Sequence, residues 1–493
     1  MSQEPAFRIV PGQRQLFLDD VGIAGIEGLT RTMHQPAKKG AVIRPNVERG
    51  ETALQTRSAP AWDPDAGVYK LWMITSAIHS GTTYAESEDG LHWRKPVLRQ
   101  REVNGSLDNN TVTLDPGREW PANAIENVVR DPGDPDPSRR FKGFAHCHDR
   151  EPIVSPDGIR WRMLDVPPIP SQDESNLSYD PLTRTFIATA KQRGPYGRSV
   201  HLSTSADFER WTAPELVFCA DDLDQMLGRA NIARRFASPL LDPPFFNIPA
   251  TYNVDIYNMG VFRYEGLYVG LPTVYHKTGQ VPGDWAGFDD WDVAPEALAA
   301  YRRHGDWAGF HHVQMTCSRD LHRWERLGDR QPFLDLSPLG AGAYDLATII
   351  GPSSPVVRGE ELWFYYTGLR KYGGPTPRRG LDRDHGAICL ASLRRDGFIS
   401  LDAGERGGVL VTEPFVGIGT SLHVNLDAAR GEVRVEVLDE GRRPLATSAP
   451  MVGDLADGEL RWVEGSLAQV RGRAVSLRFT LRRARVYSYW IEE

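Results

Sequence analysis

"SEDGLHW" at residues 87–93 recurs along the chain as "SPDGIRW" (155–161), "SADFERW" (205–211) and "SRDLHRW" (318–324). Each copy keeps a Ser, an Asp two residues on, and a Trp six residues after the Ser. Asp, with Gly after it in the first two copies, favours a tight turn, and Trp offers a large apolar face with one donor. The signature therefore reads as a structural corner with a packing anchor, not as a catalytic motif.

Upstream of each copy stands a pair of apolar-rich runs joined by an Asp/Gly turn. The first is "SAPAWDPDAGVYKLWMITS", the second "ENVVRDPGDPDPSRRFKGFAH" and the third "SNLSYDPLTRTFIATAKQR". "YNMGVFRYEGLYVGLPTVYH" and "SSPVVRGEELWFYYTGLRK" continue the series. Each unit reads strand, turn, strand, then a third strand entering the signature and a fourth leaving it. Four antiparallel strands repeated at about 50 to 70 residues is the pattern of a propeller blade. Five such units predict a five-bladed β-propeller over residues 1–403. The fifth departs from the signature, since "SLRRDGFISLD" has Asp-Gly but no Trp.

Two inserts lengthen the gap between the third and fourth copies. Residues 220–251 are rich in Pro and Asp, and residues 278–309 contain "PEALAAYRRHG", a short helix with Pro near its start and Gly after its end. Neither holds a strand-turn-strand pattern, which argues against a hidden sixth blade. The second insert is expected to cover part of the mouth, with Trp285, Phe288 and Trp291 able to stack on a sugar ring; the alternative is packing against a neighbouring subunit. From residue 404 the texture changes. Val433, Val435 and Val437 alternate with Arg434 and Glu436, and Leu477, Phe479 and Leu481 with Arg478 and Thr480. This period of two predicts a C-terminal β-sandwich over 404–493, so the fold class is all-β.

Composition narrows the function. The net charge of -8 argues against a nucleic-acid or anionic-membrane partner. Cys147, Cys219, Cys317 and Cys389 form no C-x-x-C pair and read as reduced thiols. No basic-then-apolar leader is visible at the start and no run approaches about 18 apolar residues, so a cytoplasmic location is expected. There is no nucleotide or phosphate-loop fingerprint and no cofactor is expected; His311-His312 lacks a third ligand at metal spacing, so no metal is expected either.

In a blade the first strand lines the central channel, and its starting end shares one mouth with the loop between strands two and three. The inner-strand starts supply Glu126, Asp173, Glu174, Asp255 and Asp345, with Arg57 and Glu51 in the first unit. Asn127, Asn176, Asn253, Tyr257, Asn258 and Tyr344 lie at the same level. The second-to-third strand loops supply His79, His146, Arg193, His276 and Lys371, one imidazole or cation per unit. Clustered carboxylates relieved by cations suit sugar chemistry, in which one carboxyl protonates a leaving oxygen and another acts as base or nucleophile. "RDP" at 130–132 runs straight into the hairpin turn, so Asp131 reads as a turn residue at the far end of its blade.

Five units, four of them with the Ser-x-Asp-x-x-x-Trp element, followed by a β-sandwich, resemble the five-bladed propeller glycoside hydrolases around families 32, 43 and 68. "QLFLDDVGIA" (15–24) and "GTSLHVNLDAARGEVRVEVLDEGRRPL" (419–445) resemble a bacterial family-32-like branch. The resemblance implies a glycoside hydrolase or transglycosidase cleaving a glycosidic bond, furanosidic bonds included, with a carbohydrate substrate. Carried over by position, it implies Glu51 as nucleophile or base, Glu126 as transition-state stabiliser, and Asp173 or Glu174 as acid. "TRSAP" stands where the family has Asp-Pro or Asn-Asp-Pro-Asn, which leaves Asp255 as a rival nucleophile. A sugar phosphorylase or lyase on the same scaffold, or a non-catalytic carbohydrate-binding propeller, are the competing readings. His276, Lys277, Arg370 and Lys371 keep the phosphorylase open.

Overall fold

The computed structural model describes residues 7–77, 81–117, 123–146, 148–290, 295–340, 342–371 and 384–493. The regular structure is mostly β-strand, with two α-helices among the described residues. No helix among those residues is long and apolar enough to cross a membrane.

Antiparallel sheets follow one another along the chain. Ile125–Arg130, Phe141–Ala145, Glu151–Ser155 and Arg160–Met163 pair in sequence order, as do Asn176–Asp180, Thr185–Gly194, Gly197–Ser205 and Glu215–Phe218. The fourth unit opens with the long hairpin Asn253–Tyr264 and Leu267–Val281 and continues through Asp306–Val313, Thr316–Ser318 and Glu325–Arg326. Units one and five share a nine-stranded sheet. In it, Ala37–Ile43 from near the start of the chain pairs antiparallel with Gly386–Arg394 from near its end. Hydrogen bonds therefore join the first and last units directly.

Each signature folds alike. In the first, Gly90 N–H donates to Ser87 Oγ (2.9 Å), Leu91 and His92 N–H donate to Asp89 Oδ1 (2.8 Å each), and Trp93 Nε1 donates to the Gly90 carbonyl (2.9 Å). The same bonds recur around Asp157, Asp207 and Asp320. The residue after the Asp adopts φ of +80°, +78°, +65° and +69° in the four copies, as Gly90, Gly158, Phe208 and Leu321. Gly serves where a neighbour presses in, since a Cβ on Gly158 would stand 2.5 Å from Trp72 Cζ2. Phe208 and Leu321 accept the left-handed backbone and fill the core with their own side chains. The tryptophans pack between neighbouring units, as expected. Trp161 meets Trp72 edge-on at 5.9 Å, Trp93 meets Tyr365 and Trp211 meets Phe144.

The fifth unit puts its Asp to another use. Asp396, fully buried at φ +62°, accepts bonds from Arg14 (2.7 Å), Tyr264 (2.6 Å), Ser488 (2.6 Å) and Asn425 (3.3 Å). It joins the unit series to a twelve-stranded sheet formed by both ends of the chain. The expected alternation holds there, with Val433, Val435, Val437, Leu477, Phe479 and Leu481 buried. The boundary at 403/404 does not separate the sheets, however. Ile23–Glu27 and Leu29–Met33 pair with Gly408–Thr412 and Ile399–Ala403, so an N-terminal segment lies in the C-terminal sheet. Its strands are short, and only their partners reveal the sheet they join.

The inserts also differ from expectation. Residues 220–251 hold a 16-residue helix, α1 (Asp222–Ala237), opened by a capping box between Asp221 and Asp224. The helix expected in the second insert is present as α2 (Pro295–His304). Phe288 is buried with Val281 in a small core that also takes Trp285, Phe245, Phe246 and Tyr301. Its ring is buried between the two inserts; Trp291 lies outside the described residues.

Replacing buried Trp161 by Ala is expected to lower unfolding free energy by about 3–5 kcal/mol, and half-buried Trp93 by less. Asp396→Ala is expected to cost about 3–5 kcal/mol, because Arg14 then stays buried and uncompensated. Urea denaturation of the three variants checks both values.

Candidate functional site

Neighbouring strands bring a connected set of charged side chains together. Two backbone irregularities aim it. Glu126 is skipped in the pairing of Ile125 with Ala145 and Asn127 with Phe144, and Tyr257 is skipped between Ile256 and Asn258. Such bulges re-aim a side chain out of the strict alternation of a strand. Glu126 meets Arg150 at 2.8 Å, and Arg150 also donates to Asn127 Oδ1 at 2.7 Å. Glu174 Oε1 accepts from both Arg57 Nη2 and the Tyr257 hydroxyl. Lys191 lies 2.8 Å from Asp173, 3.8 Å from Glu174 and 3.8 Å from the centre of the Tyr257 ring. Arg198 stacks over Tyr257 and meets Asp255 at 3.1 Å, while Lys277 reaches the other oxygen of Asp255 at 2.9 Å. Gly197 makes room for this contact, since a Cβ there would stand 2.8 Å from Asp255 Oδ2.

Next to the charges, short polar side chains from neighbouring units are bonded together. The Arg57 carbonyl accepts from Asn127 Nδ2 (3.1 Å), Asn176 Nδ2 (3.4 Å) and Ser353 Oγ. Asn127 also donates to the Ser175 carbonyl, and Ser58 Oγ accepts from Val128 N–H (2.9 Å). At the other end of the same inner strands a separate cavity of about 460 Å³ is lined by Trp62, Val128, Leu177, Phe262 and Val357.

Burial and charge set the protonation states. Burial would raise the Glu174 carboxyl, but Lys191, Arg57 and the Tyr257 hydrogen bond outweigh it and hold the acid well below its ordinary value. Burial would likewise lower Arg57, yet Glu174, Tyr257 and Glu126 raise it. For Lys191 burial wins, and its ammonium is brought down to about 7. His311, packed on the rings of Tyr257 and Tyr275, is lowered by burial and by Arg198 and Lys191. Among the described residues no group of three or more His, Cys, Asp or Glu side chains is placed to hold a metal ion.

Of the residues singled out from sequence, Glu126, Asp173, Glu174, Asp255 and Arg57 join this set. Others do not. Glu51 is buried at the start of the Glu51–Gln55 strand, bonded to Lys95 (2.6 Å) and to the Asn46 N–H (2.5 Å). Asp345 is bonded to Lys38 (2.6 Å) and Tyr366 (3.0 Å), between the fifth unit and the Ala37–Ile43 strand. His276 is buried beneath α1, stacked on Phe310 at 4.6 Å, bonded to Asn231 and held neutral by burial. Strand alternation sends the adjacent Lys277 to Asp255 instead. Arg193 is exposed at the hairpin end, and Lys191 and Arg198 on the same hairpin reach the carboxylates. His146 is half-buried at φ +70°, its carbonyl accepting from Arg150 at 2.6 Å. Lys371 is half-buried at the last described position before residue 384, and His79 lies outside the described residues. Asp131 pairs with Lys142 (2.9 Å) and accepts from Gly133 N–H, as a turn residue would. Sequence reasoning missed Arg150, Lys191 and Arg198; all three are interior to strands or loop ends, where Lys and Arg ordinarily face solvent.

No family model and no curated protein matches the chain. The solved structures similar to it over most of its length include glycoside hydrolases. A Bombyx mori GH32 β-fructofuranosidase is 9% identical, with 93% of this chain and 94% of that one covered and a TM-score of 0.41. A β-fructofuranosidase from Schwanniomyces occidentalis, complexed with fructosyl-erythritol, is 9% identical over 93% and 98% of the two chains, TM-score 0.39. An exo-β-1,3-galactanase from Phanerochaete chrysosporium, with β-1,3-galactotriose, is 10% identical over 93% and 99%, TM-score 0.36.

Lys191 is expected to titrate near neutral pH. In a lysine-labelled NMR pH series one side-chain resonance should move with a midpoint at about 7 and vanish in Lys191→Met. Because its folded value is depressed, the unfolded chain binds the extra proton between about 7 and 10.5, so this group makes stability rise with pH across that window.

Proposed function

We propose that the chain is a five-bladed β-propeller carrying a C-terminal β-sandwich completed by its N-terminal strands, and that it is a glycoside hydrolase or transglycosidase working at the charged end of the central channel. The observation that carries the reading is the ionised Glu174 carboxylate, buried and oriented by Arg57 and Tyr257, one residue from the more accessible Asp173. The two acids have unlike environments, as a two-carboxyl mechanism requires.

Glu174, held charged and fixed, serves as nucleophile or as base toward water. Asp173, whose side chain is 32% exposed, reaches the open side and relays to the leaving oxygen the proton that Lys191, brought down to about 7, holds 2.8 Å away. Lys191 lies against both, so its charge couples their ionisation. Glu126, locked by Arg150, and Asp255, locked by Arg198 and Lys277, offer fixed carboxylate oxygens that can accept from sugar hydroxyls beside Glu174. Glu51 has no part in this arrangement.

The experiment is a screen on nitrophenyl furanosides and pyranosides, followed by Glu174→Gln and Asp173→Asn on whichever glycoside turns over. Both variants are expected to lose roughly two to three orders of magnitude in kcat while retaining a folded thermal transition. No hydrolysis of any glycoside by the wild type, or near-wild-type rates in both variants, overturns the reading. A limb in the pH–rate profile at about 7 that disappears in Lys191→Met would tie activity to the charge on Lys191.

A further inference from the structure

We propose that this site binds an oxyanion, either the carboxylate of an acidic sugar or inorganic phosphate, on the guanidinium of Arg57. The inference rests on the glycosidase reading for the place of the sugar and adds the charge of what is bound there.

The first observation is a charge count. Five cationic side chains, Arg57, Arg150, Lys191, Arg198 and Lys277, face four carboxylates, Glu126, Asp173, Glu174 and Asp255. Each acid already has its own cation, and Asp255 has two. While Lys191 is protonated, below about pH 7, the cluster therefore keeps one positive charge that none of its own acids matches.

The second observation is independent of charge. Arg57 is 4% exposed and gives one nitrogen, Nη2, to Glu174; its Nε and Nη1 have no hydrogen-bond partner among the described residues. A buried guanidinium donor with no acceptor is costly to leave unmade. Both amide atoms of Asn258, 4% exposed and next in sequence to Tyr257, are likewise unbonded among those residues, as is Ser175 Oγ beside Glu174. Two unmade guanidinium donors on one buried side chain suit a ligand with several lone pairs. A neutral sugar hydroxyl would satisfy one donor and leave the surplus charge. A carboxylate or phosphate accepts several bonds and neutralises it, and Arg is the side chain best shaped to bind either. Glu126 and Glu174 would repel such a ligand if they were unpaired, but Arg150, Arg57 and Lys191 already hold them.

Calorimetric titration at low ionic strength tests this without any turnover. The ligands are inorganic phosphate, glucuronate and galacturonate, with glucose and galactose as neutral counterparts. The wild type is expected to bind phosphate, or one uronate over its neutral counterpart, at least about tenfold more tightly, with the preference falling as salt rises. Phosphate alone marks a phosphate-using enzyme, and a uronate alone marks an acidic-sugar enzyme. Arg57→Gln is expected to lose the preference; Arg57→Lys keeps the charge and should recover part of it. If Arg57→Gln fails to fold, the wild-type comparison of acidic with neutral ligands decides by itself. Equal binding of uronate and neutral sugar together with no phosphate binding overturns the proposal. Turnover of neutral glycosides with that outcome would leave the glycosidase reading standing, whereas anion binding with no glycoside turned over would leave only this inference.

Discussion

Arg57 is the residue on which both the fold and the site depend. Its carbonyl is the shared acceptor for Asn127, Asn176 and Ser353, side chains of three other units. Its guanidinium lies among the acids and pairs with Glu174. Buried polar networks are stabilising only when satisfied, and here one residue supplies the acceptor to the girdle and the cation to the carboxylate. The first unit thus contributes a cation to the site, and the acids Glu126, Asp173, Glu174 and Asp255 come from later units.

A comparable economy governs the periphery. Four copies of the signature spend Ser, Asp and Trp on a local corner, with the Trp bridging to the adjacent unit. The fifth lacks the Trp and turns its Asp inward. Asp396 gathers Arg14, Tyr264, Asn425 and Ser488, which belong to the N-terminal segment, the fourth unit and the C-terminal sheet. A buried carboxylate is tolerated here because three donors reach Oδ2 and one reaches Oδ1, and one of the four is a cation. Loss of the repeat motif in the fifth unit thus coincides with the joint between the two parts of the molecule.

The inserts show how local signals compete. α1 opens with a capping box and carries Gly228 where a Cβ would strike Val254, so the helix lies close against the fourth unit's inner strand. Proline and aspartate flanking it make the segment look irregular, and the capping pair Asp221 and Asp224 is the signal that identifies it. The rings of Phe288 and Trp285 pack with Phe245 and Phe246 from the other insert, since apolar rings bury against each other when a partner is near.

The sequence by itself determined the strand hairpins, the corner motif and its packing role, the alternating C-terminal strands, and the level along the inner strands at which Glu126, Asp173, Glu174, Asp255 and Arg57 stand. All of these follow from short-range periodicity and turn chemistry, which depend on neighbours a few residues apart. Only the tertiary structure decided that Ala37–Ile43 joins the last unit, that Leu29–Met33 joins the C-terminal sheet, and that His276 turns into the core while Lys277 faces Asp255. Strand partners, the phase of alternation across a bulge and the choice among nearby cations are set by residues tens or hundreds of positions away. A one-residue slip at Glu126 or Tyr257 reverses which side chains face the channel, and that slip is visible only once the neighbouring strand is in place.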